Sequence, residues 1–501
     1  MQCTSCNLQK IETPSGNDDN LPANAGNIWL LNSLEDIDGY TAKDPENLWN
    51  FSMLKNENEN IQLVIATSGN RKLEIAREGE SAHIGFRCSQ VKSFGTLKND
   101  VLVPCSGEIV PENKIVKAWL SFRTAPDALP GTYKETIWFR NETEEYGVTV
   151  YITVKDAMIP EKPSIASAFG INPDNFIMTG LDEQQRLEKR REVSDLLLEY
   201  RADPYFSTWL SGTMKTECFS SPYPWDDERC WEYLKDRRFC SIALPSHNLS
   251  DESLGSMLSR ARQEGLLGKA FFYVWDEPTL PSEYSSIHVL ADRIHRYSPE
   301  AKILTSFYCG PKEGESKDNL YAVFDALDGA TSIYCTSAWA LQKNETISER
   351  CRKKLKDGQE WWMYVCMSEY PGLAQNATGI PNRVVMWRNW KEHAEGFLYW
   401  VVNSFGSMSP LKPRTDLPEG DGILVYPGKP FGSDKPCVSI RLERWREGAE
   451  DYEMLCMYEQ RHGRAAAEAL LKNVYQNPSS FTSEARHVEA FRKLLIEGIT
   501  E

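Results

Sequence analysis

Two adjacent carboxylates follow an apolar, aromatic segment in the middle of the chain. Residues 271–275 read Phe-Phe-Tyr-Val-Trp, which has strand character, and the segment stops at Asp276, Glu277 and Pro278. Hydrolysis of a glycosidic bond needs a carboxylic acid that protonates the leaving oxygen and a second anion that stabilises the positive charge developing at the sugar carbon. A strand that delivers Asp276 and Glu277 into a cleft would supply both groups.

The same pair also fits a structural role at the start of a helix. Acidic residues before a proline complement the helix dipole and cap the first turn. In addition, neighbouring side chains of a strand point to opposite faces, so Asp276 and Glu277 reach one pocket only where the pleat breaks. The end of a strand followed by Pro278 is such a place, and this position favours catalysis over capping.

The segments that would position the pair alternate between short apolar runs and charged, helix-like stretches from about residue 164 onward. Candidate strands lie near 167–170, 202–206, 239–244, 271–275, 303–307, 332–335, 361–366 and 396–401, and helices fit between them at 186–200, 251–264 and 282–297. A strand followed by a helix, repeated eight times, predicts a (β/α)8 TIM-type barrel, whose active site lies at the carboxyl ends of the strands. Asp276 and Glu277 end the fourth strand in this order.

The chain as a whole is predicted to be a multidomain α/β protein. Residues 1–26 are rich in Asn, Asp, Ser, Gly and Pro and indicate a disordered leader, whereas residues 27–160 alternate between apolar and polar positions, as in an antiparallel β-sandwich. The barrel would span 161–440, and a helical segment at 441–501 would pack on it. Opposite charges three and four residues apart in 441–453 predict an ion-paired helix on the solvated surface.

The 501 residues carry a net charge of -16. This charge argues against nucleic acid and anionic membrane surfaces as partners, because their phosphates would be repelled. No apolar run approaches the roughly 20 residues that span a bilayer, which predicts that no transmembrane helix is present. The sequence has only 7 histidines and shows no phosphate-binding loop, HExxH or GxSxG motif. We therefore predict neither a metal nor a cofactor.

The start of the chain is compatible with two locations. Met1 and Cys3 are not accompanied by a basic region or an apolar segment, so no signal peptide is visible. If a signal has been removed, Cys3 would carry a lipid, and the protein would lie in the bacterial periplasm or on the cell surface. If the segment is an ordinary flexible tail, a cytoplasmic location is equally compatible. The 13 cysteines, without paired CxxC spacing, predict neither a zinc site nor a complete disulfide framework.

Seven further residues near strand ends or in the loop after the last strand are candidates for binding a sugar. They are Trp275, Tyr334, Trp362, Tyr364, Trp400, Asn403 and Asp421. Alternation places Trp362 and Tyr364 on one face of their strand. If that face lines the barrel, Tyr364 presents its hydroxyl to a substrate, and a tryptophan forms a wall for the sugar. Asp421, between two glycines, would bond sugar hydroxyls. Core packing or a turn is the competing interpretation for each of these residues.

Several motifs occur in an order that resembles a known enzyme family. They are Trp275-Asp276-Glu277-Pro278, Trp362 with Tyr364, Gly396 to Trp400, Gly420 to Gly428 and Ser439 to Glu453. Together they resemble the domain of unknown function 4091, the catalytic region of glycoside hydrolase family 123, most strongly over about 270–455. The resemblance implies an exo-acting β-N-acetylgalactosaminidase whose mechanism is similar to that of family 20 hexosaminidases.

The resemblance also implies how the two acids share the work. In such enzymes the 2-acetamido oxygen of the substrate attacks the anomeric carbon and forms an oxazolinium ion, an exception to the two-carboxylate rule. Glu277 matches the general acid/base, which calls for a raised pKa, and Asp276 matches the residue that accepts the acetamide N–H and stays ionised. The analogy to family 20 makes Tyr364 the candidate donor to the acetamide oxygen. This chain has Met363 where the family pattern has Trp.

These implications predict a retaining exo-β-N-acetylgalactosaminidase that acts without a cofactor on glycan or glycolipid termini carrying an N-acetylhexosamine. Two alternatives stay open at this point. One is a β-hexosaminidase or another exo-glycosidase on the same barrel. The other is a non-catalytic glycan-binding protein on a decayed barrel, although the intact pair of Asp276 and Glu277 argues against it.

Overall fold

The computed structural model describes residues 25–79, 81–173, 181–209, 216–312, 319–342, 345–367, 371–376, 378–405, 412 and 414–501. Almost all of the predicted leader, including Cys3, lies outside these residues. No helix within the described ranges is long and apolar enough to cross a membrane. The architecture is multidomain α/β, with a β-rich N-terminal region followed by a large sheet that is flanked by helices.

The described part of the N-terminal region contains ten strands. They are β1 (Ile28–Asn32), β2 (Leu48–Lys55), β3 (Asn58–Ala66), β4 (Leu73–Glu78), β5 (Ile84–Phe94), β6 (Leu97–Pro104), β7 (Glu108–Ile109), β8 (Ile115–Thr124), β9 (Gly131–Arg140) and β10 (Glu145–Met158). One sheet contains the neighbours β1-β3-β8-β5-β6, and the other has the order β2-β10-β9-β4-β7. Both sheets contribute to one apolar core, with Leu63 and Leu120 from the first and Ile137 and Val150 from the second.

A nearly closed sheet follows. Its strands are β11 (Ala166–Ile171), β12 (Pro204–Trp209), β13 (Thr216–Phe219), β14 (Ile242–Ala243), β15 (Ala270–Asp276), β16 (Lys302–Phe307), β17 (Ile333–Ser337), β18 (Glu360–Val365) and β19 (Gly396–Tyr399). The order is β13-β12-β11-β19-β18-β17-β16-β15-β14, in which β13 runs antiparallel to β12 and the other neighbours run parallel. The N–H of Ser220 donates to the carbonyl of Ala243 at 3.0 Å and so joins the two edges.

Helices cover the outer face of this sheet. They are α1 (Glu183–Glu199), α2 (Glu228–Leu234), α3 (Asp251–Gln263), α4 (Pro281–His295), α5 (Ala322–Ala326), α6 (Ala338–Leu341), α7 (Glu345–Arg352) and α8 (Ile380–Lys391). The inner face carries its own apolar cluster, which includes Tyr205, Phe271, Leu304 and Leu398. Each of the eight predicted strands coincides with a parallel strand of this sheet, and β13 is an additional strand that the sequence did not predict.

The chain then returns to the N-terminal region. The last elements are β20 (Val425–Tyr426), β21 (Cys437–Ser439), α9 (Ile440–His462), α10 (Arg464–Leu471), β22 (Tyr475–Asn477), β23 (Ser480–Phe481) and α11 (Ala485–Thr500). Strand β21 pairs with β6, where Val438 lies opposite Leu102, and β20 pairs with β21. These two strands extend the first N-terminal sheet to seven strands, so a segment that follows the nearly closed sheet in the chain belongs to the β-rich region.

The charged helix α9 is buried, which corrects the prediction of a solvated surface helix. Arg441, Glu443, Arg444 and Glu447 are each at most 4% exposed. The helix lies between α8, α11 and the β-rich region, so its charges meet partners from distant parts of the chain. For example, the guanidinium of Arg441 lies 2.8 Å from the carboxylate of Asp100. The spacing of opposite charges along α9 predicted the ion pairing, but the burial of the helix depends on the elements that pack around it.

Candidate active site

Strand β15 alternates regularly over its first half. The side chains of Phe271 and Tyr273 belong to the inner cluster of the sheet, whereas Phe272 and Val274 pack against the helices outside. If this alternation continued, Asp276 would point outward, away from the interior of the sheet.

A β-bulge reverses the direction of the last residues. Tyr273 and Trp275, two residues apart in β15, pair with consecutive residues of β16, so β15 contains one extra residue at this point. Trp275 therefore joins the outer core. Asp276 pairs with Ser306 and turns to the inner side, where it meets the hydroxyl of Tyr273.

Glu277 continues the break with a left-handed backbone conformation, at a φ of +49°. This region is sparsely populated by residues other than glycine and needs support from its surroundings. The N–H of Glu277 lies 3.1 Å from the carbonyl oxygen and 3.2 Å from Oγ of Ser306. The bulge and the left-handed residue together form the break in the pleat that lets neighbouring acids share one side, and Pro278 follows directly.

Two hydroxyl groups hold Asp276. The hydroxyl of Tyr273 donates to Oδ1, and Ser306 Oγ donates to the same oxygen at 2.8 Å. Oδ2 makes no hydrogen bond with any residue in the described ranges. Burial raises the pKa of Asp276 above its ordinary value, while the bonds from Tyr273 and Ser306 favour the carboxylate and oppose this rise. The family resemblance implies an ionised Asp276; the two donors act in that direction, but burial has the larger effect and the pKa is raised.

Tyr364 reaches the second acid from β18. Its hydroxyl donates to Oε1 of Glu277. Burial raises the pKa of Tyr364 well above its ordinary value and the carboxylate of Glu277 adds to the rise, so the phenol keeps its proton and acts as a donor. Of the predicted residues, Asp276, Glu277 and Tyr364 are therefore brought together.

Three other predicted residues lie elsewhere. Trp275 and Tyr334 belong to the core between the sheet and its helices, where Tyr334 stacks on Phe324 with ring centroids 4.7 Å apart. Trp362 is on the inner face, but it packs against Phe271 near the amino-terminal ends of the strands, with centroids 5.6 Å apart. Catalysis in a sheet of this kind is located at the opposite, carboxyl ends.

Asp421 forms a second polar group at the carboxyl ends of β18 and β19. Its Oδ1 accepts from the hydroxyl of Tyr399 at 3.0 Å and from Nε1 of Trp400 at 3.4 Å, and its Oδ2 accepts from the N–H of Met367 at 2.9 Å. Asn403 is fully buried, and it exchanges hydrogen bonds with the backbone of Asn172 at 2.8 and 2.9 Å. These contacts show how both polar residues tie loops to the strand ends.

Sequence reasoning missed Tyr273 and Ser306. Tyr273 is three residues before Asp276, a spacing that puts the two side chains on opposite faces of a regular strand. Ser306 lies on β16, and only the pairing of β15 with β16 places it opposite Asp276. The available signal was a serine near the end of the strand that follows β15 in the sequence.

A family comparison supports the chemistry suggested by this geometry. Residues 223–458 match the model of the family described as "Glycoside hydrolase 123, catalytic domain". The matched range includes β14 to β21 and both acids. It confirms the family that the motifs resemble. No curated protein matches the chain.

One solved structure agrees with this chain at the level of the fold. A family 123 glycoside hydrolase from Clostridium perfringens, reported for the details of glycolipid glycan hydrolysis, is similar with a TM-score of 0.68 and 15% sequence identity, and the match covers 94% of this chain and 97% of that one. An endo-β-1,4-mannanase from Thermotoga petrophila matches with a TM-score of 0.32 and 10% identity over 59% of this chain and 77% of that one.

Proposed function

The chain is a glycoside hydrolase with a family 123 catalytic domain, and from this premise we propose that it is a retaining exo-β-N-acetylgalactosaminidase that removes terminal β-GalNAc from glycans or glycolipids. The observation that carries the proposal is the shared inward placement of Asp276 and Glu277 at the break in β15. The alternative of a non-catalytic glycan-binding protein is set aside because the chain is an enzyme.

In the first step, the acetamide of the substrate acts as the nucleophile. Oδ2 of Asp276 would accept the acetamide N–H, since the hydroxyl groups of Tyr273 and Ser306 already occupy Oδ1. This bond orients the acetamide oxygen toward C1 and stabilises the positive charge of the oxazolinium ion as it forms. Glu277 donates its proton to the leaving glycosidic oxygen, so the C1–O bond breaks without release of an alkoxide.

In the second step, water opens the oxazolinium ring. Glu277, now a carboxylate, takes a proton from the water that attacks C1, and the acetamide is restored. Two inversions at C1 give overall retention. The hydroxyl of Tyr364, which contacts Glu277 in this structure, is close enough to the reacting groups to serve as the donor to the acetamide oxygen once a substrate is bound.

The nearly closed sheet and the N-terminal region form the scaffold of the proposed active site. We interpret the nearly closed sheet as a (β/α)8 barrel with β13 inserted at its seam, and the N-terminal region as a β-sandwich that supports it. The eight parallel strands and the contact between Ser220 and Ala243 are consistent with this interpretation. Substrates of glycolipid type are suggested by the similarity to the Clostridium perfringens enzyme.

A panel of nitrophenyl glycosides tests the specificity. We expect turnover of the β-GalNAc substrate, slower turnover of β-GlcNAc, and background rates with β-Gal, because β-Gal lacks the acetamide that acts as nucleophile. A thiazoline that mimics the cyclic intermediate should inhibit competitively. Preference for β-GlcNAc would make the enzyme a β-hexosaminidase, and hydrolysis of β-Gal at the rate of β-GalNAc would refute substrate assistance.

A further inference from the structure

Ser306 forms hydrogen bonds with both acids of the site. It is fully buried in β16 and lies opposite Asp276 in the sheet. Its Oγ is 2.8 Å from Oδ1 of Asp276, 2.8 Å from the hydroxyl of Tyr273 and 3.2 Å from the N–H of Glu277. One small side chain therefore contacts the side chain of the first acid and the backbone of the second.

The protons available to this group match an ionised Asp276. The hydroxyls of Ser306 and Tyr273 carry one proton each, and both oxygens lie within hydrogen-bond distance of Oδ1. With both protons on the carboxylate, Ser306 Oγ still has lone pairs to accept from the N–H of Glu277. Every donor then has an acceptor, and bonds to a charged acceptor are the stronger kind.

The backbone of Ser306 contributes independently of its hydroxyl. Its carbonyl accepts the N–H of Glu277 at 3.1 Å, so this N–H is shared between two oxygens of the same residue. That N–H belongs to the residue with the left-handed φ, and the bulge lies just before it. The strained segment is thus fastened to β16 at the point where both acids leave the strand.

From these contacts we infer that Ser306, assisted by Tyr273, is a positioning residue that holds Asp276 with Oδ2 toward the substrate and keeps Glu277 turned to the same side. This inference rests on the proposed roles of the two acids. It assigns the orientation of the acetamide-binding acid to a residue that does not itself touch substrate.

Loss of the Ser306 hydroxyl should change the way in which the reaction rate depends on pH. Burial already raises the pKa of Asp276, and the bond from Ser306 counteracts that effect. Among the described residues, the other ionisable groups whose pKa values respond to the charge on Asp276 are Tyr205, Tyr273, Cys335, Tyr364 and Cys366, and burial raises the pKa of each of them. All five stay neutral in acid, so a change in the acidic limb of a pH–rate profile would report on the carboxyls.

The first test compares Ser306→Ala with Thr305→Val. Thr305 is the adjacent residue of β16, is also fully buried, and bonds through its hydroxyl to Thr331 at 2.8 Å on the other side of the sheet. For Ser306→Ala we expect kcat/KM for nitrophenyl β-GalNAc to fall about ten- to a hundredfold and the acidic limb to move up by about one pH unit. Thr305→Val should leave the limb where it is in the wild type, and Ser306→Thr, which keeps the hydroxyl, should restore most of the rate.

A second test does not depend on the substrate. Because removal of the hydroxyl raises the pKa of Asp276 further, the Tm difference between wild type and Ser306→Ala should widen from pH 4 to pH 8. In an Asp276→Asn background this pH dependence should vanish. Tyr273→Phe, which keeps the ring and loses the other donor, should act in the same direction as Ser306→Ala.

The two proposals fail in different ways. If the wild type does not hydrolyse β-GalNAc but the Tm difference widens with pH and depends on Asp276, the proposed specificity is wrong and the role of Ser306 stands. If the wild type is active but the acidic limb and the Tm difference of Ser306→Ala behave as in Thr305→Val, Ser306 is an ordinary buried hydroxyl, and the inference is refuted.

Discussion

Two clusters of buried carboxylates among the described residues can be compared, because they form hydrogen bonds and ion pairs with different kinds of partner. At the end of β15, Asp276 accepts hydrogen bonds from two hydroxyl groups. Where β3, α8, α9 and α11 meet, the carboxylate of Asp451 lies 2.6 Å from the guanidinium of Arg383, and that of Glu59 lies 2.7 Å from the guanidinium of Arg492. Hydroxyl dipoles stabilise the first acid, whereas full positive charges stabilise the others.

Both groups are buried, so the partners are what distinguishes the acid proposed for catalysis from the acids that stabilise the fold. Removing one member of a buried ion pair leaves an uncompensated charge, which costs about 3–5 kcal/mol, so such acids serve the fold. The two hydroxyl donors of Asp276 both bond Oδ1 and leave Oδ2 for the proposed contact with substrate, and their bonds strengthen or weaken as the charge of Asp276 changes. Perturbed acids in such settings are candidates for catalysis.

The largest difference between the clusters should appear in turnover. Glu277→Gln and Asp276→Asn should each lower kcat on β-GalNAc glycosides about 10²–10⁴-fold, because proton transfer and charge stabilisation are lost, while Tm stays near that of the wild type. Rates and melting curves measured on the same preparations check this. Glu349→Gln, which removes the exposed ion pair between Glu349 of α7 and Lys353, is the matched control and should keep full activity. Wild-type rates in either active-site variant would refute the assignment.

The second cluster should respond in stability instead. Asp451→Ala removes the buried carboxylate that accepts from Nε of Arg383 and from Nε1 of Trp387, and only Glu447 and a longer contact to Glu59 still neutralise Arg383. The free energy of unfolding should therefore fall by about 3–5 kcal/mol. Denaturant titration measures this, and kcat per folded molecule should be unchanged at low temperature. Glu349→Gln should cost less than about 1 kcal/mol, since exposed pairs contribute little. Equal losses of unfolding free energy in Asp451→Ala and Glu349→Gln would show that the buried ion pairs do not stabilise the contact between β3, α8, α9 and α11.

The ion-paired cluster also includes Glu57, which pairs with Arg492, and Glu447, which pairs with Arg383, and it should make stability depend on pH. Burial raises the pKa of Glu57 to about 8 and that of Glu447 to about 7. Between the unfolded value near 4.5 and these values the folded state binds more protons, so stability is greatest below the unfolded pKa and falls as pH rises through 7 and 8. Melting curves from pH 5 to pH 8 check the slope. Glu57→Gln should lower Tm overall but flatten the slope, and a Tm that rises over this range would contradict the sign.

The smallest effect concerns the contact between the second acid and β18. Tyr364→Phe removes the hydroxyl that bonds Glu277 and keeps the buried ring. We expect kcat/KM to fall about tenfold, equivalent to about 1.4 kcal/mol, with little change in Tm. Steady-state kinetics on the β-GalNAc and β-GlcNAc substrates measure the loss. An unchanged kcat/KM would remove Tyr364 from the mechanism and leave it as a neighbour of Glu277.

Local patterns were sufficient for most elements of the scaffold and for the position of Asp276 and Glu277 at the end of a strand. The predicted strands near 271–275, 303–307 and 361–366 correspond to β15, β16 and β18, because apolar runs and their flanking helices are encoded within a few residues. Strand β13 was missed because its four residues are too short to show a pattern. The exposed character predicted for 441–453 was wrong because charge spacing carries no information on what covers a helix.

The sequence by itself determined that Asp276 and Glu277 stand at the end of an apolar strand and that the motifs resemble those of a glycoside hydrolase family, and it made Tyr364 a candidate partner of the pair. Tertiary structure decided which way these side chains point. A regular strand would have turned Asp276 outward, and the bulge that reverses it exists only in the pairing of β15 with β16. The same pairing recruits Ser306. The direction of the Asp276 side chain depends on the register between two strands that are separated in the chain, and no single segment of the sequence contains that register.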